Sequence, residues 1–234
     1  MKVFLAGATG VIGRRLVVLL RKAGHDVVGT TRSETKAAAL QALGATAAVV
    51  DVYDAQKLKL AVYAAQPDAI IHQLTDLPQT LDPNTMAAAL AANAKLRIDG
   101  TRNLVDAVLA SGVRRVIAQS IAFAYAPGEG ALTEDHPIDP LQTGVIALEQ
   151  AVTQTPGIDG IVLRYGRLYG PGTWTEVAKG AAPLHVDAAA QAALLALTQG
   201  APGLYNIAED DGAVSSEKAK RALGFDAAFR MEAA

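Results

Sequence analysis

The stretch MKVFLAGATGVIGR, residues 1–14, decides the fold of this chain. Its apolar beginning predicts a strand, and the helical spacing of apolar residues that resumes after Gly10 predicts a helix. Between these elements, Gly7, Gly10 and Gly13 are spaced G-x-x-G-x-x-G. Glycines in this context permit a tight turn, let a pyrophosphate approach the backbone and bring the helix close to the sheet. The stretch therefore predicts a dinucleotide-binding site, against the alternative of a glycine turn used only for packing.

The composition of the 234 residues narrows the class of protein. With 21 basic and 23 acidic residues, the chain has no charge excess that would favour nucleic acid or an anionic membrane surface. The absence of cysteine excludes disulfides, cysteine metal sites and thiol nucleophiles, and it fits a cytoplasmic protein. No export signal or membrane-spanning segment is expected, because glycine and arginine interrupt the first apolar stretch. No metal site is predicted.

Strand and helix patterns alternate from residue 1 to residue 120. After the first strand and helix, the sequence predicts strands at 25–30, 45–50, 69–74 and 114–119, and helices at 34–43, 55–65 and 84–111. This alternation is typical of an α/β protein, and a Rossmann-like doubly wound parallel sheet is the economical architecture. We expect a nucleotide-binding domain at 1–164 and a small C-terminal substrate region at 165–234, together forming one structural unit.

The strand ends supply further candidates for cofactor contact, because ligands bind outside the carboxyl ends of the strands in open α/β sheets. The predicted cofactor-binding residues in these loops are Gly7, Thr9, Gly10, Val11, Ile12, Gly13, Arg32, Asp51, Val52, Gln73 and Leu74. Among them, Asp51 can accept a hydrogen bond from the adenine amino group. His72 lies on an apolar strand and is expected to be a packed histidine rather than a catalytic base.

The end of the second predicted strand favours NADP(H) over NAD(H). An acidic residue there accepts hydrogen bonds from a free ribose 2′-hydroxyl, whereas this chain has Thr30, Thr31, Arg32 and Ser33. A guanidinium and a small hydroxyl suit a 2′-phosphate. In the alternative interpretation, Arg32 is a solvated side chain and Ser33 only caps the following helix.

Eight segments carry a resemblance to a known family. They are GATGVIG at 7–13, DVYD at 51–54, GTRNLVDA at 100–107, GVRRVIAQS at 112–120, LRYGRLYGPG at 163–172, HVDAAAQAALLAL at 185–197, YNI at 205–207 and KAKRALGF at 218–225. In this order they resemble the extended and atypical short-chain dehydrogenase/reductase superfamily, the branch that contains nucleotide-sugar epimerases and dehydratases. The resemblance implies a nicotinamide cofactor across the strand ends, a small-molecule substrate and a C-terminal region that covers it.

The resemblance also implies three catalytic residues, of which this chain keeps one. Ser120 matches the family's serine at the end of the fifth strand, but Leu141 and Val145 stand where a tyrosine and a lysine belong. Residues 126–163 contain neither tyrosine nor lysine, so a phenol whose pKa is lowered by a neighbouring ammonium is missing. Tyr125 is the predicted replacement acid. The other candidates are Tyr165, which we also count among the cofactor contacts, Tyr169 and His185.

Two functional hypotheses remain open at this point. In the first, the chain is an NADP(H)-preferring oxidoreductase or epimerase-like enzyme that acts on a small molecule by a non-standard mechanism. In the second, it is a non-catalytic NADP(H)-binding sensor or scaffold whose partner contacts change when the cofactor orders its loops. Only the first requires a proton donor within hydrogen-bond reach of the substrate.

The C-terminal region offers several polar candidates with two interpretations each. Arg164 and Arg167 can bind an anionic substrate or pair with a carboxylate. Trp174 is a candidate for ring stacking or for an interface. Asp187 is expected to cap a helix. The apolar stripe of the helix predicted at 84–111 suggests a homodimer.

Overall fold

The computed structural model describes residues 1–78, 80 and 82–232. The strands are β1 (Lys2–Ala6), β2 (Asp26–Thr31), β3 (Thr46–Val49), β4 (Ala69–His72), β5 (Arg115–Ile121), β6 (Asp159–Tyr165), β7 (Arg167–Tyr169), β8 (Pro183–His185) and β9 (Gly203–Ile207). The helices are α1 (Val11–Lys22), α2 (Glu34–Ala42), α3 (Ala55–Ala65), α4 (Pro83–Lys95), α5 (Thr101–Ser111), α6 (Thr143–Thr153), α7 (Val186–Leu195) and α8 (Glu217–Leu223). A π-helical turn, Leu96–Gly100, joins α4 to α5.

Seven strands form one parallel sheet in the order β3-β2-β1-β4-β5-β6-β9. The order reverses between β1 and β4, so the connections from these two strands diverge and open a crevice at their carboxyl ends. The remaining two strands, β7 and β8, pair in parallel as a separate ribbon. This topology confirms the predicted Rossmann-like doubly wound α/β fold.

An apolar layer holds the helices on each face of the sheet. On one face, Leu16 and Leu20 of α1 are buried in a core that includes the alanine-rich α7. On the other face, Leu58, Leu104 and Leu148 bring α3, α5 and α6 into a second core. Burial of one such leucine side chain contributes about 1.5–3 kcal/mol, so these helices are fixed by their apolar faces.

The residues after 164 share the core of the residues before them. β9 extends the sheet beside β6, and α7 packs on α1. The two helices are also joined by an ion pair in which Arg15 Nε lies 2.7 Å from Asp187 Oδ1. The domain boundary at 164/165 stays a prediction. The prediction that Asp187 caps α7 is wrong. The cap is His185, whose Nδ1 accepts the Asp187 N–H at 3.2 Å, and the Asp187 carboxylate pairs with Arg15.

Three local expectations have different outcomes. The helix predicted at 84–111 is interrupted by the π-helical turn, a feature that apolar spacing does not reveal. The cap of α3 is Asp54, whose carboxylate accepts the Lys57 N–H at 3.0 Å. Ser33 stands at the cap position of α2, but its hydroxyl makes no capping hydrogen bond, so the capping interpretation is wrong. Within residues 1–78, 80 and 82–232, no helix has the length and apolar character needed to cross a membrane.

A candidate nucleotide site and its substrate side

The glycine turn is shaped by two close backbone contacts. Gly7 has φ +89°, and a Cβ on it would lie 2.6 Å from Gln73 O. A Cβ on Gly13 would lie 2.1 Å from Gly7 O. A Cβ on Gly10 would meet only Gly7 O, at 3.3 Å, apart from its chain neighbours. Packing therefore requires glycine at positions 7 and 13, whereas Gly10 keeps one side of the turn open for a ligand.

The open side of the turn faces the beginning of α1. The first N–H to enter the helical ladder is that of Arg14, which donates to Gly10 O at 3.0 Å. The N–H groups of Val11, Ile12 and Gly13 precede it and therefore point out of the helix end. Such an end, with its positive dipole, binds phosphate. The predicted residues of the glycine turn thus fit the pyrophosphate of a dinucleotide.

The adenosine end of the crevice is lined by β2 and by the loops after β3 and β4. Arg32 keeps 62% of its side chain exposed, and its guanidinium lies 3.7 Å from the carboxylate of Asp76. Asp51 accepts the Tyr53 N–H at 2.9 Å, and Val52 is buried beside Gly100 of the π-helical turn. The position of Arg32 suits a 2′-phosphate, but Asp76, which sequence reasoning missed, competes for the same guanidinium.

The other end of the crevice lies at the carboxyl ends of β4, β5 and β6. Gln73 Nε2 donates to the hydroxyl of Tyr165 at 3.2 Å, and Gln119 Nε2 donates to Leu74 O at 3.2 Å. Gln73 Oε1 is buried and has no hydrogen-bond partner among the described residues. Burial raises the pKa of Tyr165, which keeps its phenol protonated. An unpartnered amide oxygen at this end of the crevice fits a polar group of a bound nicotinamide nucleotide.

Ser120 belongs to a buried polar cluster. Its hydroxyl donates to Glu149 Oε1 at 2.7 Å, and only 2% of the residue is exposed. Arg164 pairs with the same carboxylate through two bonds, Nε to Oε1 at 2.9 Å and Nη2 to Oε2 at 2.7 Å. Of the two interpretations of Arg164, the structure shows pairing with a carboxylate. The Ser120 hydroxyl therefore positions α6 against β5 and β6. The catalytic role of Ser120 stays a prediction, and this hydrogen-bond geometry disfavours it.

Tyr125 extends the same cluster toward the C-terminal region. Its hydroxyl donates to Asn206 Oδ1 at 2.6 Å and accepts from Arg164 Nη1 at 2.8 Å. Burial raises the pKa of Tyr125 more than the neighbouring Arg164 lowers it. The proton of this phenol is therefore committed within the protein. The acid role predicted for Tyr125 is untested, and the hydrogen-bond geometry favours a positioning role.

The two alternative acids in the C-terminal region are also engaged. The hydroxyl of Tyr169 donates to Glu209 Oε1 at 2.7 Å and accepts from Arg230 Nη2 at 2.9 Å. Burial raises the pKa of Tyr169 and lowers that of His185, whose ring caps α7. The hydroxyl proton of Tyr169 is donated to Glu209, and the lowered pKa of His185 leaves its ring uncharged near neutral pH, so neither side chain is a ready acid there.

The helix that would carry a tyrosine–lysine pair presents apolar side chains. Leu141 precedes α6 and is 85% exposed, while Val145 is buried in it. On the facing π-helical turn, Arg97 is half-buried and forms no hydrogen bond or ion pair with another residue of the described chain. The complete burial of His72 and, to a lesser extent, the positive charge of Arg97 lower the pKa of His72 to about 4. His72 is thus the packed, neutral histidine that was predicted, and Arg97 is a charged group that sequence reasoning missed.

A loop after β7 covers the glycine turn. Arg15 Nη2 donates to Pro171 O at 2.6 Å, and a Cβ on Gly172 would lie 3.5 Å from Val11. Across the crevice, Trp174 Nε1 donates to Pro78 O at 3.0 Å. The indole therefore joins the loops on the two sides of the crevice, a role that neither the stacking nor the interface interpretation of Trp174 included.

Known proteins match both the sequence and the fold. The NAD dependent epimerase/dehydratase family matches residues 3–183. A curated relative from a Streptomyces species, 3-diazoavenalumate denitrifying reductase, is 38% identical over 245 aligned positions, which cover 93% of this chain and 79% of that protein.

Solved structures share the fold at low sequence identity. The UDP-glucose 4-epimerase of Thermotoga maritima, solved with UDP-glucose, superposes with a TM-score of 0.81 at 18% identity, over 98% of this chain and 94% of that one. The UDP-glucuronic acid 4-epimerase of Bacillus cereus, solved with UDP-glucuronic acid and NAD, gives 0.80 at 17% identity, over 98% and 95%.

The family match covers most of the chain, and the glycine turn, the helix end and the crevice suit the cofactor that the family uses. These findings confirm the predicted resemblance and favour the enzyme hypothesis over the sensor hypothesis. The chain belongs to the NAD-dependent epimerase/dehydratase family, and its function is that of an NAD(P)-binding enzyme of oxidoreductase or epimerase-like type.

Proposed function

We propose that the chain is an NADP(H)-preferring reductase whose small-molecule substrate accepts a hydride without receiving a proton from the protein. One observation carries this proposal: the hydroxyl protons of Ser120 and Tyr125 are donated to Glu149 and Asn206, and no tyrosine or lysine stands in residues 126–163. Reduction of a carbonyl to an alcohol needs a proton donor at the oxygen, which these residues do not supply.

The side chains of the crevice have binding and orienting roles in this proposal. The end of α1 would hold the pyrophosphate, Arg32 would hold the 2′-phosphate, and Gln73, which bonds to Tyr165, would border the nicotinamide. A bound reduced nicotinamide supplies the hydride. The loop that Trp174 ties to Pro78 excludes water from the crevice.

A diazo substrate meets the requirement for a reduction without proton transfer. When the carbon that bears an aryl diazonium group takes up a hydride, a C–H bond forms and the C–N bond breaks. The electron pair of that bond leaves with dinitrogen, so no proton is exchanged and the charges balance. The reductase relative, named for the denitrifying reduction of 3-diazoavenalumate, supports extending this chemistry to the present chain.

The test follows the hydride into the product. NADPH deuterated at C4 is mixed with 3-carboxybenzenediazonium and the protein, and deuterium in the benzoate and release of dinitrogen are measured. The control is Gly10→Ala, which narrows the phosphate site. The proposal is supported if the wild type forms deuterated benzoate faster than this variant does. Bound NADPH without acceleration refutes it, and conversion of UDP-glucose to UDP-galactose by the same protein would indicate an epimerase instead.

We also propose a homodimer formed through α4, the π-helical turn and α5. Leu90, Ile98 and Leu109 keep 56%, 40% and 47% of their surface exposed, and Tyr63 of the neighbouring α3 keeps 71%. An exposed apolar face of this kind favours association. Light scattering of the wild type and of Leu90→Glu tests it, since a dimer interface at this face predicts a monomeric variant. The cytoplasmic location stays a prediction.

A further inference from the structure

A cavity of about 300 Å³ lies beside the carboxyl end of β5. Its walls come from the segment that follows β5 and from residues near 182 and 214 of the C-terminal region. Most of the lining side chains are small or apolar, among them Ala122, Ala126, Ala182 and Val214. Small-molecule sites have volumes of about 300–1,000 Å³, so this cavity has the volume expected for a site that holds one small ring system.

One charged side chain lines the cavity. The guanidinium of Arg167 stacks on the ring of Phe123, with 4.4 Å between its central carbon and the ring centroid. A Cβ on Gly180 would lie 3.3 Å from Arg167 Cδ, so the loop on the other side also confines the side chain. The guanidinium forms no hydrogen bond or ion pair with any residue that the structure describes. Arg167 is an exposed residue, so its N–H donors remain available to a ligand, and the contact with Phe123 orients the guanidinium.

The cavity adjoins the nicotinamide end of the crevice. Ala122 follows β5 directly, and its N–H donates to Tyr165 O at 2.8 Å. Ile121, the preceding residue, pairs with Tyr165 in the sheet. Tyr165 therefore contacts Ala122 of the cavity wall through its backbone carbonyl and Gln73 of the crevice through its hydroxyl.

We propose that this cavity binds the substrate as a planar aromatic carboxylate, with Arg167 pairing with the carboxylate and Phe123 holding the guanidinium in place. A single guanidinium suits a group of one negative charge that accepts two parallel N–H bonds. The alanine-rich walls suit the flat face of an aromatic ring. The inference rests on the proposed reductase function only for the claim that the bound molecule is the substrate, and the cavity's preference for this class of ligand stands separately.

The experiment is a calorimetric titration with trans-cinnamate and, as the uncharged equivalent, trans-cinnamamide, each with and without NADP⁺. We expect cinnamate to bind the wild type. Arg167→Gln should lower the affinity for cinnamate by about 10- to 100-fold, the range for loss of a hydrogen bond between charged groups. Phe123→Leu, which removes the stacking surface, should weaken it less. Cinnamamide should bind all three proteins weakly. Arg221→Gln, an exposed arginine on α8, is the matched control and should bind cinnamate as the wild type does.

The outcomes separate this inference from the reductase proposal. Equal affinity of Arg167→Gln and the wild type for cinnamate, or equal wild-type affinity for cinnamate and cinnamamide, overturns the assignment of Arg167. No binding of cinnamate to a protein that binds NADP⁺ overturns the cavity assignment and leaves the reductase proposal standing. Cinnamate binding without any NADP⁺ or NADPH binding refutes the reductase proposal instead. The wild-type comparison of the two ligands remains decisive if a variant fails to fold.

Discussion

Removal of the hydroxyls of Ser120 and Tyr125 separates a structural role from a catalytic one. Each hydroxyl bonds to the buried ion pair of Glu149 and Arg164, at 2.7 and 2.8 Å. A hydrogen bond to a charged group contributes about 1.5–3 kcal/mol, so Ser120→Ala and Tyr125→Phe should each lower the free energy of unfolding by that amount. For a chain of this size, each 1 kcal/mol lowers Tm by about 2–4 °C.

The rate of NADPH oxidation should respond much less than stability. Loss of a general acid costs about 10²- to 10⁴-fold in rate, whereas loss of a positioning contact should leave turnover within about tenfold of the wild type. Urea unfolding followed by far-ultraviolet circular dichroism gives the stability, and stopped-flow measurement of NADPH gives the rate. Ser111→Ala and Tyr63→Phe remove the same hydroxyls from positions outside the cluster and serve as controls.

The double variant adds a further check, because Ser120 and Tyr125 act on the same ion pair. Their effects on stability should not be additive, with a coupling of about 0.5–3 kcal/mol. A fall in turnover of a hundredfold or more at unchanged stability, for either single variant, would show that the catalytic prediction is right and the structural interpretation wrong.

Three further perturbations test the cofactor half of the site and the buried histidine. Gly10→Ala should fold normally and lose affinity for both NADPH and NADH, whereas Gly13→Ala should unfold at much lower urea, because its Cβ would lie 2.1 Å from Gly7 O. In calorimetry, Arg32→Ala should weaken the binding of NADPH by about 1.5–3 kcal/mol and leave the binding of NADH nearly unchanged. Asp76→Asn, which frees the Arg32 guanidinium, should strengthen the binding of NADPH alone. Equal effects on the two nucleotides would contradict these roles. The pKa of His72 is about 4 in the folded chain and 6.5 in the unfolded chain. The unfolded chain therefore binds more protons between these two pH values, and the free energy of unfolding falls by about 3 kcal/mol in total as the pH is lowered through this range. The slope of unfolding free energy against pH should therefore be smaller in His72→Gln, and an unchanged slope would exclude the histidine as its source.

The glycine turn was predictable from the sequence because local backbone geometry builds it. Residue type and spacing alone indicate the two constrained glycines. Gly7 has φ +89°, and Gly13 has no room for a Cβ. The parallel sheet follows for the same reason, since apolar runs and helical spacing alternate in short segments. The expected positions of Asp51 and Gln73 then follow from the strand ends.

The side-chain partners of the candidate site, at both ends of the crevice, could not be predicted because contacts between distant segments decide them. Asp76 reaches Arg32 from the loop after β4, which residue spacing cannot indicate. Arg97 is placed by a π-helical turn, and the sequence does not single it out, because Lys95, Asp99 and Arg102 carry charges beside it. The side chain of Ser120 matched a family position, but its direction depends on Glu149, 29 residues away, so the residue type alone did not reveal its partner.

The titration behaviour of the site leads to a last prediction about the reaction itself. Burial raises the pKa of Tyr125 and of Tyr165, and it lowers that of His72 and of His185, so these groups keep one protonation state near neutrality. An enzyme that relies on a general acid shows a rate that changes tenfold per pH unit beyond that group's pKa, whereas hydride transfer alone should give kcat/KM that is flat from about pH 6.5 to 8. The measurement is the pH profile of NADPH oxidation with 3-carboxybenzenediazonium, corrected for the reaction without protein. A bell-shaped profile that persists after this correction would require a proton donor that the cluster around Arg164 does not provide, and would direct the assignment to another group in the crevice.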